Sequence, residues 1–229
     1  MVREYPVEAT SVEGFVQQVV QYITHGYRYF VTGSIPASKD PRTVDSKLLE
    51  RYSVQATKWT RARRKQQGQA NLRYLRHGGF FVILATPGRH PFFEQERSVI
   101  KDVREVPIKH AGYSISYRPG GRQRDGSPDP KYRAHVRIET KRYRELKAYF
   151  VGLATHRTAD KLAAEFWAVP FEPYAPIRRQ LLNILRAVNR ARQAAGYEKL
   201  RYSVLRYKRQ IVRPFEPSEE RALRMAKAA

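Results

Sequence analysis

Asn71-Leu-Arg-Tyr-Leu-Arg-His-Gly-Gly-Phe-Phe-Val-Ile-Leu-Ala-Thr86 is the stretch that decides the fold. Phe80 to Ala85 is the most apolar run in the chain, the pattern of a strand buried on both faces. Asn71 to Leu75 reads as its partner strand, with Gly78-Gly79 as the turn. A central hairpin of this kind needs helices or further strands to cover it.

The flanking sequence supplies them. Thr10-Ser-Val-Glu13 has the form of a capping box, with Glu13 reaching back. An amphipathic helix follows, with Phe15, Val16, Val19, Val20 and Ile23 inward and Gly26 as the stop. Tyr27 to Ile35 is a strand rich in aromatic and β-branched residues. Thr43 caps a helix over Val44 to Tyr52, and a basic helix covers Gln55 to Gln67. Beyond the hairpin, Tyr113, Ile115 and Tyr117 alternate with serines, so Ile108 to Arg118 reads as one half-exposed strand. Pro119 to Pro130 is rich in Gly, Pro, Asp and Arg and reads as a mobile loop. Tyr132 to Thr140 is another strand.

Helices dominate the remainder: Arg142 to Ala154, Ala159 to Trp167, and Pro176 to Ala195 stopped by Gly196. Leu200 to Val212 alternates weakly and reads as a last strand, and Ser218 to Ala228 as a short helix. The expected class is α+β: a mixed sheet, with an RRM-like or ferredoxin-like core as the natural solution. Pro170 to Pro176 is the expected boundary, a rigid elbow. It separates a core domain over 1–169 from a helical part over 170–229 that packs on the core and holds the final strand.

Charge points to the partner. The chain has 44 Lys and Arg against 21 Asp and Glu, a formal charge of +23 over 229 residues. Such a chain repels itself, and the excess adds nothing to folding. A polyanion, above all nucleic acid, accounts for it. Hydrophobic residues make up 41% of the chain, enough for a core, so this is not a disordered basic tail. The chain has no cysteine, which excludes disulfides, thiolate zinc sites and a cysteine nucleophile. No apolar run is long enough for a membrane span, and Met1 to Thr10 lacks a signal-peptide core. The chain reads as cytoplasmic, with no membrane partner.

The charge is also segregated. Arg51 to Phe93 contains no acid but holds Arg51, Lys58, Arg61, Arg63, Arg64, Lys65, Arg73, Arg76 and Arg89. Pro173 to Tyr197 is likewise acid-free and contains Arg178, Arg179, Arg186, Arg190 and Arg192. Lys199, Arg201, Arg206, Lys208, Arg209 and Arg213 form a third cluster. Segregation of this kind is a binding face seen in one dimension.

The helix from Pro176 carries the sharpest pattern. Ile177, Leu181, Ile184, Leu185, Val188 and Ala195 share one face, and Arg179, Asn183, Arg186 and Arg190 the opposite one. The second group forms a line of donors suited to phosphates, with Arg178 beside it. Lys58-Trp-Thr-Arg-Ala-Arg-Arg-Lys65 combines a phosphate-binding run with Trp59. That ring is able to stack a base, although large aromatics are more often buried and core packing is the stronger expectation. Fifteen tyrosines, many beside basic residues as in Arg201-Tyr202 and Arg206-Tyr-Lys208, suit stacking on unpaired bases.

Three segments resemble known families. Arg76-His-Gly-Gly-Phe-Phe-Val82 resembles the RNP1 motif of RRM domains, although Phe80 and Phe81 are expected in the core. Tyr143-Arg-Glu-Leu-Lys147 resembles the Tyr-x-x-x-Lys element of HUH-type single-strand nucleases. That likeness implies Tyr143 as nucleophile on a phosphodiester, Lys147 as the cation beside it, and Mg or Mn on the phosphate. The family's His-hydrophobic-His pair is absent, leaving His90 as the histidine after the apolar strand. Asp129 with Glu139-Thr-Lys141 resembles the Asp…Glu-x-Lys core of restriction-type nucleases, which also hold Mg. The six histidines of the chain show no metal-ligand spacing.

The leading expectation is a binder of DNA or RNA, without cofactor, using a basic helix for backbones and aromatics for bases. The alternatives are a metal-dependent nuclease or strand transferase, of a mobile element, and a basic subunit of a ribonucleoprotein complex.

Overall fold

The protein is described by a computed structural model over residues 5–121, 125–217 and 220. The chain divides into two units: residues 1–108, 115–134 and 212–229 form one, and residues 109–114 and 135–211 the other. The fold is mixed α+β, with two antiparallel sheets.

The first unit is built on the hairpin. Strands β1 (Tyr29–Ser34), β2 (Leu72–His77), β3 (Phe80–Ala85) and β4 (Lys101–Asp102) form a sheet of order β2-β3-β1-β4. Every pairing is antiparallel, with Val31 opposite Ile83 and Tyr74 opposite Ile83 on the other side. The apolar run thus occupies an inner strand, as expected. Helix α1 (Val12–Thr24) precedes the sheet, α2 (Pro41–Arg51) and α3 (Lys58–Gln66) join β1 to β2, and α4 (Phe92–Gln95) joins β3 to β4.

That order is the split βαβ connectivity. An RRM-like core is not established by it, because an RRM leaves one sheet face open for bases. Here both faces are covered. Phe15 of α1 meets Phe80 edge-on at 5.8 Å between ring centroids. On the other face Val31, Leu49, Tyr52, Tyr74, Ile83 and Phe92 form a closed cluster, with Phe81 packed against it. The RNP1-like phenylalanines are therefore packing residues, as expected of them.

A buried ion pair fastens α2 to the sheet. Asp45 and Arg76 are each 3% exposed. The Arg76 Nε–H donates to both Asp45 oxygens at 3.0 Å, and the Tyr74 hydroxyl donates to the same carboxylate. The outer end of the guanidinium holds Glu8 and the Gly78 carbonyl. In the charge count Arg76 belongs to the basic stretch, but its charge is spent inside the fold.

The starts of α1, α2 and α3 differ from expectation by one to three residues. Ser11, not Thr10, caps α1 by accepting from the Gly14 N–H, which leaves Glu13 one place too early to reach back. Asp40, not Thr43, caps α2; it accepts from the N–H of Arg42 and of Thr43, and Pro41 follows it in the first turn. Thr57 caps α3.

Ile108 to Arg118 is not one strand but two, β5 (Ile108–His110) and β6 (Tyr113–Pro119). Ala111 (φ 46) and Gly112 (φ 79) both adopt the left-handed conformation, as a two-residue hairpin turn demands. Alanine is a poor residue for that position, so the turn was hidden within an alternating pattern. With β7 (Tyr132–Ile138) they form a sheet of order β5-β6-β7. Residues 122–124 of the loop expected at Pro119 to Pro130 lie outside the described residues. At its base the Gly120 N–H donates to Lys131 O at 2.7 Å and the Asp129 N–H to Gly121 O at 2.8 Å.

The second unit contains helices α5 (Thr140–Leu153), α6 (Ala159–Trp167) and α7 (Ala175–Ala194). Pro170 to Pro176 joins α6 to α7 inside this unit. Phe150 stacks on Phe166 with centroids 4.0 Å apart. The Gln180 amide ties α7 to β7, accepting from Ile138 N and donating to Ile138 O.

Leu200 to Val212 is not a strand. Apart from a short 3-10 turn at Tyr202–Val204 it is irregular. Its backbone groups are taken by side chains instead of a neighbouring strand. Asn189 accepts from Leu200 N and donates to Leu200 O, both at 2.9 Å, and Glu172 accepts from Gln210 N. The helix expected at Ser218 to Ala228 lies outside the described residues apart from residue 220. Among the described residues no helix is long and apolar enough to cross a membrane.

Candidate nucleic-acid interface

Helix α7 has two distinct faces. Ile177, Leu181, Ile184, Leu185 and Val188 are buried, as expected, while Ala195 has passed the end of the helix and is exposed. Arg179, Asn183, Arg186 and Arg190 lie along the opposite, solvent-facing side. None of these arginines forms an ion pair with a described residue. Positive charge held in a row without local acids is available to an external anion.

The irregular segment after α7 adds to this face. Arg186, Asn189, Arg190, Gln193, Lys199 and Tyr202 line a depression of about 430 Å³ with no acidic residue among the described lining. Tyr202 is 57% exposed and Tyr207 is 53% exposed. The Tyr207 hydroxyl donates to the Tyr202 carbonyl, which holds the Tyr207 ring, and Arg178 donates to the Tyr207 carbonyl, which ties this segment to the helix. Two basic clusters separate in sequence thus meet on one surface, with aromatic rings among them.

Not every cation of these clusters faces out. Arg192 is buried, donating to the carbonyls of Ala154, Arg157 and Glu198 at 2.7–3.1 Å. It closes the end of α5, where orphan carbonyls need donors. Arg206 donates to Val169 O and Phe171 O and is half-buried against Glu172. The Arg209 guanidinium lies 4.5 Å over the Tyr174 ring. Burial raises the Tyr174 hydroxyl above its ordinary value, and Arg209 opposes that shift. Lys208 is exposed.

In the first unit, α3 buries no residue. Trp59, expected in the core, is instead 84% exposed, because α3 turns its first three residues, Lys58 to Thr60, to solvent. Lys58, Arg63 and Lys65 are exposed beside it, whereas Arg61 and Arg64 fold back onto the Ala56 and Ser53 carbonyls.

The nuclease-like residues belong to different units. His90 belongs to the first unit, and Tyr143 and Lys147 to the second. Tyr143 is half-buried on α5 and Lys147 exposed one turn later. His90 Nδ1 lies 3.1 Å from the Phe92 N–H, which can only donate, so Nδ1 accepts. Burial, and then the charge of Arg64, lower the His90 pKa and favour the neutral ring. Its single proton is then on Nε2, and neither nitrogen has a free lone pair for a metal. Asp129 is bound to Arg133 and Glu139 to Lys109, each at 2.8 Å. Among the described residues no three His, Asp or Glu side chains form a group able to hold a metal ion.

Sequence reasoning missed the orphan polar atoms of the first unit. Arg28 Nε, Asn71 Oδ1 and Arg73 Nε are buried and lack hydrogen-bond partners among the described residues. All three residues line a cleft of about 790 Å³ between α1, α3 and the sheet. They come from segments far apart in the chain, so no local motif announces them. No protein-family model matches this chain, and no curated protein matches its sequence.

Proposed function

We propose that the protein binds nucleic acid through the exposed face of α7 and the segment that follows it. Arg179, Arg186 and Arg190 contact successive phosphates, Asn183 adds a neutral donor, and Tyr202 and Tyr207 stack on unpaired bases. The observation that carries this reading is the acid-free depression, where Lys199 and Tyr202 join the arginine row. Phosphate contacts carry no sequence information, so the binding is sequence-tolerant. Exposed Lys58, Trp59, Arg63 and Lys65 make α3 a second basic surface of the same kind. The absence of cysteine favours the cytoplasm as the site of action.

The test uses labelled single-stranded DNA, single-stranded RNA and duplex DNA, each incubated with the full chain and Mg²⁺ or Mn²⁺. The expected result is retention of at least one of them without cleavage. Covalent adduct or product would move the reading to the nuclease alternative, with Tyr143→Phe as the variant that should then abolish the adduct.

A further inference from the structure

We infer that the cleft of the first unit is a binding site for a single nucleotide, a base carrying its phosphate. The inference stands on that cleft and does not depend on the α7 face.

Charge is the first indication. Arg28, Arg61, Lys65 and Arg73 line the cleft, and among the described residues no Asp or Glu does. A lining with four basic residues and no described acid favours an anion. The orphan atoms are the second. Asn71 is 6% exposed, and its Nδ2 donates to Arg61 O, which fixes the amide and leaves Oδ1 as a buried acceptor without a donor. Arg28 Nε and Arg73 Nε are buried donors without acceptors among the described residues. Three residues of one cleft lining each carry a buried polar atom unmet by any described group, and a ligand reached by a small shift of these side chains would complete them, because such groups are costly to bury alone.

The ligand must then offer both a donor and acceptors, together with negative charge. A base edge presents donors and acceptors side by side, and its phosphate supplies the charge. Inorganic phosphate can offer the Asn71 acceptor only a P–OH and has no base edge to fill the cleft, and a plain hydrophobe has no acceptor for the guanidinium groups. The volume of about 790 Å³ is within the range of small-molecule and cofactor sites and accommodates a nucleotide. Half-buried Phe215 adds an apolar surface to the lining. The nucleotide comes either free from solution or as the terminal, unstacked residue of a strand.

The experiment is calorimetric titration of the full chain with adenosine, guanosine, cytidine and uridine 5′-monophosphates. Inorganic phosphate and ribose 5-phosphate serve as controls. Two exposed positions on the cleft, Gln21→Glu and Lys65→Glu, introduce acid without touching the core. Each is expected to weaken binding about tenfold or more, which is about 1.4 kcal/mol. Arg73→Lys retains charge but loses Nε and is expected to weaken it as well. The Asn71 side-chain amide resonances should shift on saturation. A triple alanine variant at Arg179, Arg186 and Arg190 should bind the mononucleotide as wild type does, which separates failure here from failure at α7. Competition by 5′-phosphorylated but not internal-sequence oligonucleotides assigns the ligand to a strand end; no competition by either assigns it to the free nucleotide. No binding by any monophosphate, binding matched by inorganic phosphate, or wild-type affinity in both acid variants would overturn the proposal.

Discussion

With Arg179, Arg186 and Arg190 all replaced by alanine, affinity should fall for every nucleic-acid sequence alike. The slope of log K against log salt should shrink by about two to three units, about one for each phosphate no longer neutralised. If counterion release is the whole contribution, three such phosphates amount to roughly a hundredfold in affinity near 0.15 M salt. Folding should barely change, because exposed substitutions without partners usually stay within about 0.5 kcal/mol. The control is on the other face of the same helix. Leu185 is fully buried, and Leu185→Ala should cost about 2–5 kcal/mol of stability. Binding by the triple variant with unchanged affinity and slope would make the row an ordinary solvated face.

Asp45→Ala should be among the most destabilising single changes in the first unit, at about 3–5 kcal/mol. The removed carboxylate accepts from the Arg76 Nε and the Tyr74 hydroxyl in a site sealed from water. Glu8 and the Gly78 carbonyl still hold the outer end of the guanidinium, but Nε and the phenol are left buried without an acceptor. Domains are stable by only about 5–15 kcal/mol, so a loss of this size moves the urea midpoint far enough to read directly. Asp45→Asn retains an acceptor but not the charge, and should fall between wild type and alanine. A midpoint within experimental error of wild type would mean the pair contributes nothing net. The same variant separates two kinds of cation: at a salt where it remains folded, its salt slope for nucleic acid should match wild type, because Arg76 is an internal tie.

Periodicity made the frame of the fold legible. Phe80 to Ala85 could only be an inner strand, and the 3.6-residue spacing from Ile177 to Val188 determined both faces of α7. The failures share one cause: side chains distant in sequence took over what the local pattern implied. Leu200 to Val212 alternates like a strand, but Asn189 and Glu172 hold its backbone groups. The turn at Ala111-Gly112 uses a left-handed alanine that no local preference would place there. Trp59 is exposed because α3 has no buried face at all, which a residue-type average cannot foresee.

The candidate site was legible in the same partial way. A charge count treats Arg190 and Arg192 as equals, yet one faces solvent and the other closes the end of α5. The junction of Lys199 and Tyr202 with the arginine row depends on how the chain returns past Gly196. The cleft around Asn71 was invisible for the same reason.

The most direct measurement is the salt dependence of binding by the unmodified protein to single-stranded and duplex oligonucleotides, followed by fluorescence anisotropy from about 0.05 to 0.2 M salt. With about three to six phosphates neutralised by α7 and its neighbouring basic residues, log K should fall along a line of slope roughly −2 to −5. No binding at the lowest salt, or a binding constant that stays level across the range, would contradict the account.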